Sequence, residues 1–122
     1  MKEFNNSISI YVQIMDEVKR WIISGKLKGG DKLPAVRELA LDFKVNPNTV
    51  QRMYQELEGE GIVYSQRGIG RFVTEDQGMI QGLKLSISRS LIKTFVEEMQ
   101  ALGFQATEIA AEIMNYLQED QN

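Results

Sequence analysis

The sequence predicts a mainly α fold: three helices and a two-stranded β-hairpin, followed by two further helices. Three observations predict it. Apolar residues recur at three- and four-residue spacing in five separate segments, as amphipathic helices require. Asn46-Pro47-Asn48-Thr49 marks a helix start: the asparagine can cap free backbone N–H groups, and the proline suits the first helical position, where no N–H is needed. Between Gly61 and Thr74 the pattern becomes two short β-branched and aromatic runs around Gly68-Ile69-Gly70, which reads as a hairpin. Helix, turn, helix and then a basic two-stranded wing is the order of a winged helix-turn-helix.

The first helix is expected from about Tyr11 to Ser24, with Ile10, Ile14, Val18, Trp21 and Ile22 as its apolar stripe and Gly25 as its stop. Lys26 to Leu33 reads as a loop turning at Gly29-Gly30-Asp31. Leu33-Pro34 leads into a short second helix, about Ala35 to Phe43, with Val36, Leu39, Ala40 and Phe43 inward. The third helix opens at Asn46-Pro47, buries Val50, Met53, Tyr54 and Leu57, and ends at Gly61; Asn48, Gln51, Arg52 and Gln55 fall on its opposite face. The hairpin strands are expected at Ile62 to Ser65 and Arg71 to Thr74, with glycines permitting positive φ at the tip. After a polar break at Glu75 to Gly78, a long helix runs from about Met79 to Leu102, carrying Ile80, Leu83, Ile87, Leu91, Phe95, Met99 and Leu102 on one face. Gly103 breaks it. A last helix, about Ala106 to Gln118, carries Ile109, Ala110, Ile113, Met114 and Leu117, with Gln105 and Glu108 placed as a capping box. The domain boundary is expected between residues 76 and 77: a DNA-binding domain over 1–76 and a helical dimerisation region over 77–122.

Composition narrows the chemistry. The chain of 122 residues has no cysteine and no histidine. That removes disulfides, thiolate metal sites, and the commonest general base and metal ligand; a zinc site, a Ser-His-Asp triad and a bound cofactor are not expected. No apolar run approaches the roughly 18 residues of a membrane span, and Met1 to Ser7 lacks the apolar stretch of a signal peptide. The expectation is a cytoplasmic protein with no membrane partner. The net charge of −3 looks wrong for a DNA binder, but residues 1–76 hold 11 basic and 11 acidic residues, and residues 77–122 hold 3 and 6. The excess acid therefore lies away from the helix-turn-helix and wing, where Lys32, Arg37, Lys44, Arg52, Arg67 and Arg71 all fall.

Within that frame the third helix is the candidate recognition helix, since the major groove admits an α-helix whose N-terminal side chains reach base edges. Asn48 and Gln51 offer the paired donor and acceptor that suits adenine, Arg52 suits guanine or a phosphate, and Thr49 suits a phosphate or a thymine methyl. A solvated polar face is the plain alternative for each of them. The preceding short helix and the following basic hairpin favour DNA. Arg67-Gly68-Ile69-Gly70-Arg71 is the candidate wing tip, where glycines allow close approach and an arginine can enter a narrow minor groove. The C-terminal stripe extends over about six turns, more than a small three-helix core can cover. It reads as a dimer interface built from Ile80, Leu83, Ile87, Leu91, Phe95, Met99, Leu102, Ile109, Ile113 and Leu117, with folding back on the core as the alternative.

The stretch Ile10 to Ile14, then Ile22 with Ser24-Gly25, Gly30-Asp31-Lys32-Leu33-Pro34, Val36-Arg37-Glu38-Leu39-Ala40, Val45-Asn46-Pro47-Asn48-Thr49-Val50, Tyr54, Leu57, Gly61 and Gly68-x-Gly70-x-Phe72-Val73 resembles the N-terminal domain of GntR-family transcription regulators. The resemblance covers about residues 8 to 74. Some 46 residues follow residue 76, too few for the ligand-binding or aminotransferase-like domains of most branches. Two helices at that length resemble the YtrA branch, whose short C-terminal part serves dimerisation. The resemblance implies DNA contacts from Arg37, from Asn48, Thr49 and Gln51 on the recognition helix, and from Arg67 and Gly68 at the wing tip; Asn46, Arg52, Gly70 and Arg71 are DNA-binding candidates from their own places at the helix start, on its polar face and in the wing. Arg71 stands where relatives often carry Thr or Ser, Ile69 replaces a frequent basic residue, and Ala35 replaces the usual capping Ser or Thr.

The expected function is a sequence-specific transcription regulator, not an enzyme: a homodimeric repressor bound to a palindromic operator in double-stranded DNA. Its target would be its own or a neighbouring operon, with transporter genes suggested by the resemblance alone. A winged-helix module that docks a protein partner is the second reading, and a truncated aminotransferase-fused relative the third. An unknown small-molecule effector between the C-terminal helices competes with plain core packing.

Overall fold

The computed structural model describes residues 9–120, in the order α1 (Ile10–Ser24), α2 (Val36–Phe43), α3 (Pro47–Gly59), β1 (Val63–Gln66), β2 (Gly70–Val73), α4 (Gln77–Ala101) and α5 (Ala106–Asp120). The mainly α winged-helix fold is thus as expected. The reading of Met1 to Ser7 lies outside the described residues. The described chain falls into two compact units, one ending at Lys84 and the other beginning at Leu85. The boundary expected after residue 76 coincides with the start of α4. The first unit extends further because Ile80 is buried in its core and Leu83 packs against it.

That core is built from one stripe of each element. Ile14, Val18 and Ile22 of α1 recur at i, i+4 and i+8 and are buried. Ile10, assigned to the same stripe by spacing, is 42% exposed, one turn beyond the buried run. Trp21 stacks on Phe43 of α2 with ring centroids 5.8 Å apart. Gly25 ends α1 at φ 86°, a left-handed conformation that a side chain would oppose. Helix α3 packs on both α1 and α2, and its Val50, Met53, Tyr54 and Leu57 are all fully buried. The Tyr54 hydroxyl donates to the Pro34 carbonyl at 2.6 Å, so the ring can be buried without stranding its polar end.

Helix α2 starts at Val36, one residue later than expected. Ala35 is its N-cap, extended at φ −64°, ψ 154°, and supplies no side-chain cap. The turn between α2 and α3 is made by Lys44 in the left-handed region, φ 56°, and is closed by the Val45 N–H donating to Ala40 O at 3.0 Å. At the start of α3 the Asn46 Oδ1 accepts the Asn48 N–H at 2.8 Å, with Pro47 next to the cap, as the sequence implied.

The hairpin pairs Val63 with Val73 through Gln66 with Gly70. Its tip closes when the Ile69 N–H donates to Gln66 O at 3.0 Å, with Gly68 at φ 79° supplying the positive φ that such a turn needs at its third residue. The segment expected to be plain loop also pairs with β2. Lys32 bridges Phe72, the Leu33 N–H donates to Arg71 O at 2.8 Å, and the Val73 N–H donates to Asp31 O at 2.9 Å. A one-residue bridge leaves no periodicity to read. Helix α4 begins at Gln77, two residues before the expected Met79, because the Asp76 carboxylate accepts the Met79 N–H at 3.1 Å and acts as a cap.

In the second unit α4 ends at a left-handed Gly103, φ 98°. The Phe104 N–H returns to Met99 O at 3.1 Å. The Gln105 N–H donates to the Glu108 carboxylate at 2.9 Å, the returning half of the capping box. Ile109 is buried, whereas Leu91, Ile92, Leu102, Met114, Tyr116 and Leu117 are half or more exposed. Among the described residues no helix is long and apolar enough to cross a membrane.

Candidate nucleic-acid interface

Helix α3 can bury one face completely because its polar residues are confined to the other. Asn46, Asn48 and Arg52 are exposed, and Thr49 and Gln51 half-buried, within the first two turns. Here the positive end of the helix dipole favours an anion, while the Asn48 and Thr49 N–H groups are already bonded to Asn46. The tight turn at Lys44 carries α2 to the same place. Arg37, exposed in the first turn of α2, and Lys44 line one hollow with Leu41, Val45 and Pro47. Two cations therefore stand at the mouth of α3, and the fold rather than the sequence puts them side by side. Asn46 spends its side-chain oxygen on the cap, so what it retains for a partner is the amide N–H2.

Arg52 is not simply solvated. Its guanidinium lies 3.9 Å above the Tyr11 ring of α1, an attraction between cation and ring face that leaves the N–H edges able to donate. In the wing, Arg67 is exposed at the tip beside Gly68. Gly70 sits at φ 144°, and a Cβ there would come within 2.8 Å of Lys32 Cε. The lysine stem crosses the glycine, which brings Lys32 next to the tip.

Arg71 points the other way, into the protein. Its Nε donates to Glu58 Oε1 at 2.5 Å, its Nη2 faces Gln51 Oε1 at 3.4 Å, and its guanidinium lies 4.9 Å from the Tyr54 ring centroid. Ser65 also donates to Glu58 Oε1, at 2.8 Å. The hydrogen bond from Arg71 holds the Glu58 carboxyl below the usual carboxylate range, against the opposing effect of burial. Burial pushes the Tyr54 hydroxyl up, so it stays a neutral donor. The charge of Arg71 is largely answered within the protein, and Arg71 joins the wing to α3.

Glu58 escaped the sequence reading. It lies two turns beyond Gln51 on the same helix, which is a legible signal, but its partner was fixed only by the register of the hairpin. Of the residues expected at a dimer interface, Ile80 and Leu83 are used in the core of their own chain. Ile109 is buried and Ile87 and Met99 are half-buried. Leu91, Phe95, Leu102, Ile113 and Leu117 are exposed. Phe95, Met99, Glu112, Ile113, Tyr116 and Leu117 line a mainly apolar hollow of about 410 Å³. Among the described residues no cluster of three or more acidic side chains could hold a metal ion.

Comparison with known proteins follows the same outline. The model of the family described as "Bacterial regulatory proteins, gntR family" matches residues 10–73. The HTH-type transcriptional repressor YtrA of Bacillus subtilis is 36% identical over 88% of this chain and 89% of its own. A GntR family transcriptional regulator from Listeria monocytogenes superposes with a TM-score of 0.84 at 41% identity, over 92% of this chain and 98% of that one. The AraR DNA-binding domain, solved in complex with operator ORR3, superposes with a TM-score of 0.54 at 32% identity, over 61% of this chain and 87% of that one.

Proposed function

The chain belongs to the gntR family of bacterial regulatory proteins, and from that premise we propose that this DNA-binding transcription regulator works as a homodimeric repressor on a palindromic operator. It is a regulator and not an enzyme. The observation that carries the proposal is the second unit. Leu91, Ile92, Phe95, Ile113, Met114 and Leu117 expose their apolar side chains together on α4 and α5, a concentration that isolated monomers rarely leave in water. A second copy of the same face covers it and gives the protein the two-fold symmetry of a palindrome. Each protomer then offers one α3, one wing tip and the cations Arg37 and Lys44 to a half-site. The operator-bound AraR domain and the repressor YtrA support this reading. Occupancy of a promoter by such a dimer in the cytoplasm blocks polymerase. Its own or a neighbouring operon, including transporter genes, is the natural target, and the apolar hollow of the second unit is filled by the partner rather than by an effector.

The test is sedimentation and operator binding of the full chain and of its Leu91→Glu/Phe95→Glu variant. The parent is expected to sediment as a dimer. The variant should be a monomer that still melts cooperatively and binds a selected operator at least tenfold more weakly. A parent that sediments as a monomer removes the proposal. Affinity for duplex DNA should also fall steeply with salt through counterion release; a flat salt dependence would point instead to a protein partner for the basic surface.

A further inference from the structure

Gln51 is placed to read DNA, yet one end of its carboxamide is already engaged. A free glutamine offers a donor and an acceptor side by side, and that pair suits adenine. Here the amide faces the Arg71 guanidinium, with the Gln51 Oε1 3.4 Å from Nη2. The distance is long, but chemistry decides the orientation. A guanidinium carries only donors, so turning the amide over would set N–H against N–H beside a positive charge. The carbonyl must face Arg71, and the N–H2 must face away.

Arg71 in turn cannot easily release the carbonyl. Its Nε is bonded to Glu58 at 2.5 Å, Ser65 braces the same carboxylate oxygen at 2.8 Å, and the Tyr54 ring lies beneath the guanidinium. The arginine side chain is 22% exposed and that of Glu58 32%. Both ends of the clamp belong to packed elements: Arg71 to β2, paired with Ser65 of β1, and Glu58 to α3 itself.

We propose that Arg71 is a positioning residue for base recognition: held by Glu58, it turns the Gln51 carbonyl inward, so that Gln51 offers the major groove its N–H2 alone and selects a base with an acceptor-only edge. That edge belongs to guanine, through O6 and N7, or to thymine, through O4. Adenine, which suits the free amide, is disfavoured, and cytosine, which presents a donor, is rejected. The proposal rests on the reading of α3 as the recognition helix. It reverses the adenine preference expected from the glutamine alone, and it gives the wing an influence on a base that it need not touch.

The experiment is selection of bound duplexes from a random pool by the full chain and by Gln51→Ala, Gln51→Glu and Arg71→Met, each checked for a cooperative melt. The position read by Gln51 is the one whose preference disappears in Gln51→Ala. The parent should enrich guanine or thymine there. Arg71→Met keeps an apolar stem over Tyr54 and removes the donors, so adenine relative to guanine should rise about tenfold at that position, the discrimination expected of one paired contact. Gln51→Glu gains an ion pair with Arg71 and should stay folded, but it has no donor; guanine and thymine should no longer be enriched. Adenine enriched by the parent overturns the proposal, as does a Gln51→Glu variant with the parent's preference or an Arg71→Met variant that folds and selects as the parent does. A parent that enriches no sequence at all brings down the recognition-helix reading beneath the proposal, which separates that failure from a failure of the clamp.

Discussion

Ala35→Ser should stabilise the protein, and the size of the effect follows from the start of α2. Ala35 is the N-cap, its backbone is already extended as a cap requires, and its side chain accepts nothing. The N–H groups of Arg37 and Glu38 at the second and third helical positions therefore lack a side-chain acceptor on the capping residue. Glu38 lies in the first turn, three residues on, where its carboxylate can reach back to the N–H of residue 35 and complete a capping box. Ala35 is exposed, so a hydroxyl has room. Exchanging alanine for serine at such a cap is worth about 0.5–2 kcal/mol, typically ~1. For a domain of about 60–100 residues, 1 kcal/mol raises the melting temperature by about 4–8 °C. The assay is a thermal melt followed by far-ultraviolet circular dichroism, without DNA. A variant that melts no higher than the parent would refute the reasoning: either α2 does not begin where its backbone indicates, or its first turn is already satisfied. Any gain in DNA affinity is measured separately, so a phosphate contact by the new hydroxyl cannot be mistaken for a cap.

Lys44→Gly should raise stability by about 0.5–1 kcal/mol, because the left-handed φ of 56° costs a side chain about 1–2 kcal/mol and the added entropy of the unfolded glycine returns part of it; a lower urea midpoint would show that the lysine side chain stabilises the turn. The same variant should bind DNA more weakly with a shallower salt slope, as Lys44 lies beside the start of α3. Glu58→Gln tests the ion pair by pH. The folded Glu58 carboxyl titrates below its ordinary value, so its contribution is fully present above the usual carboxylate pKa of about 4.3 and disappears as pH falls through the folded value. The urea midpoint of the parent should exceed that of the variant at pH 7, and the gap should close as pH falls from the ordinary carboxylate range through the lower folded value; a gap that stays constant through that range would mean that Glu58 acts by packing alone.

Much of this molecule was decided locally. Residues such as Gly25, Asn46-Pro47 and Gly103 set helix ends by their own conformational limits, and the buried runs of α1 and α3 follow from side-chain spacing within one helix. Those signals need no knowledge of distant residues, so the order of helices, the turn and the hairpin could be read directly. The tertiary structure decided what lies between elements. Ile80 and Leu83 share the sequence pattern of Leu91 and Phe95, yet they pack in the winged-helix core, since periodicity marks an apolar face without naming what covers it. Arg71 has the composition of a DNA-binding arginine but is turned inward by Glu58. That pairing depends on hairpin register and on the packing of the wing against α3, contacts between residues 13 and 20 positions apart. The sequence determined which residues can donate a hydrogen bond; only the packed fold decided which of them already had.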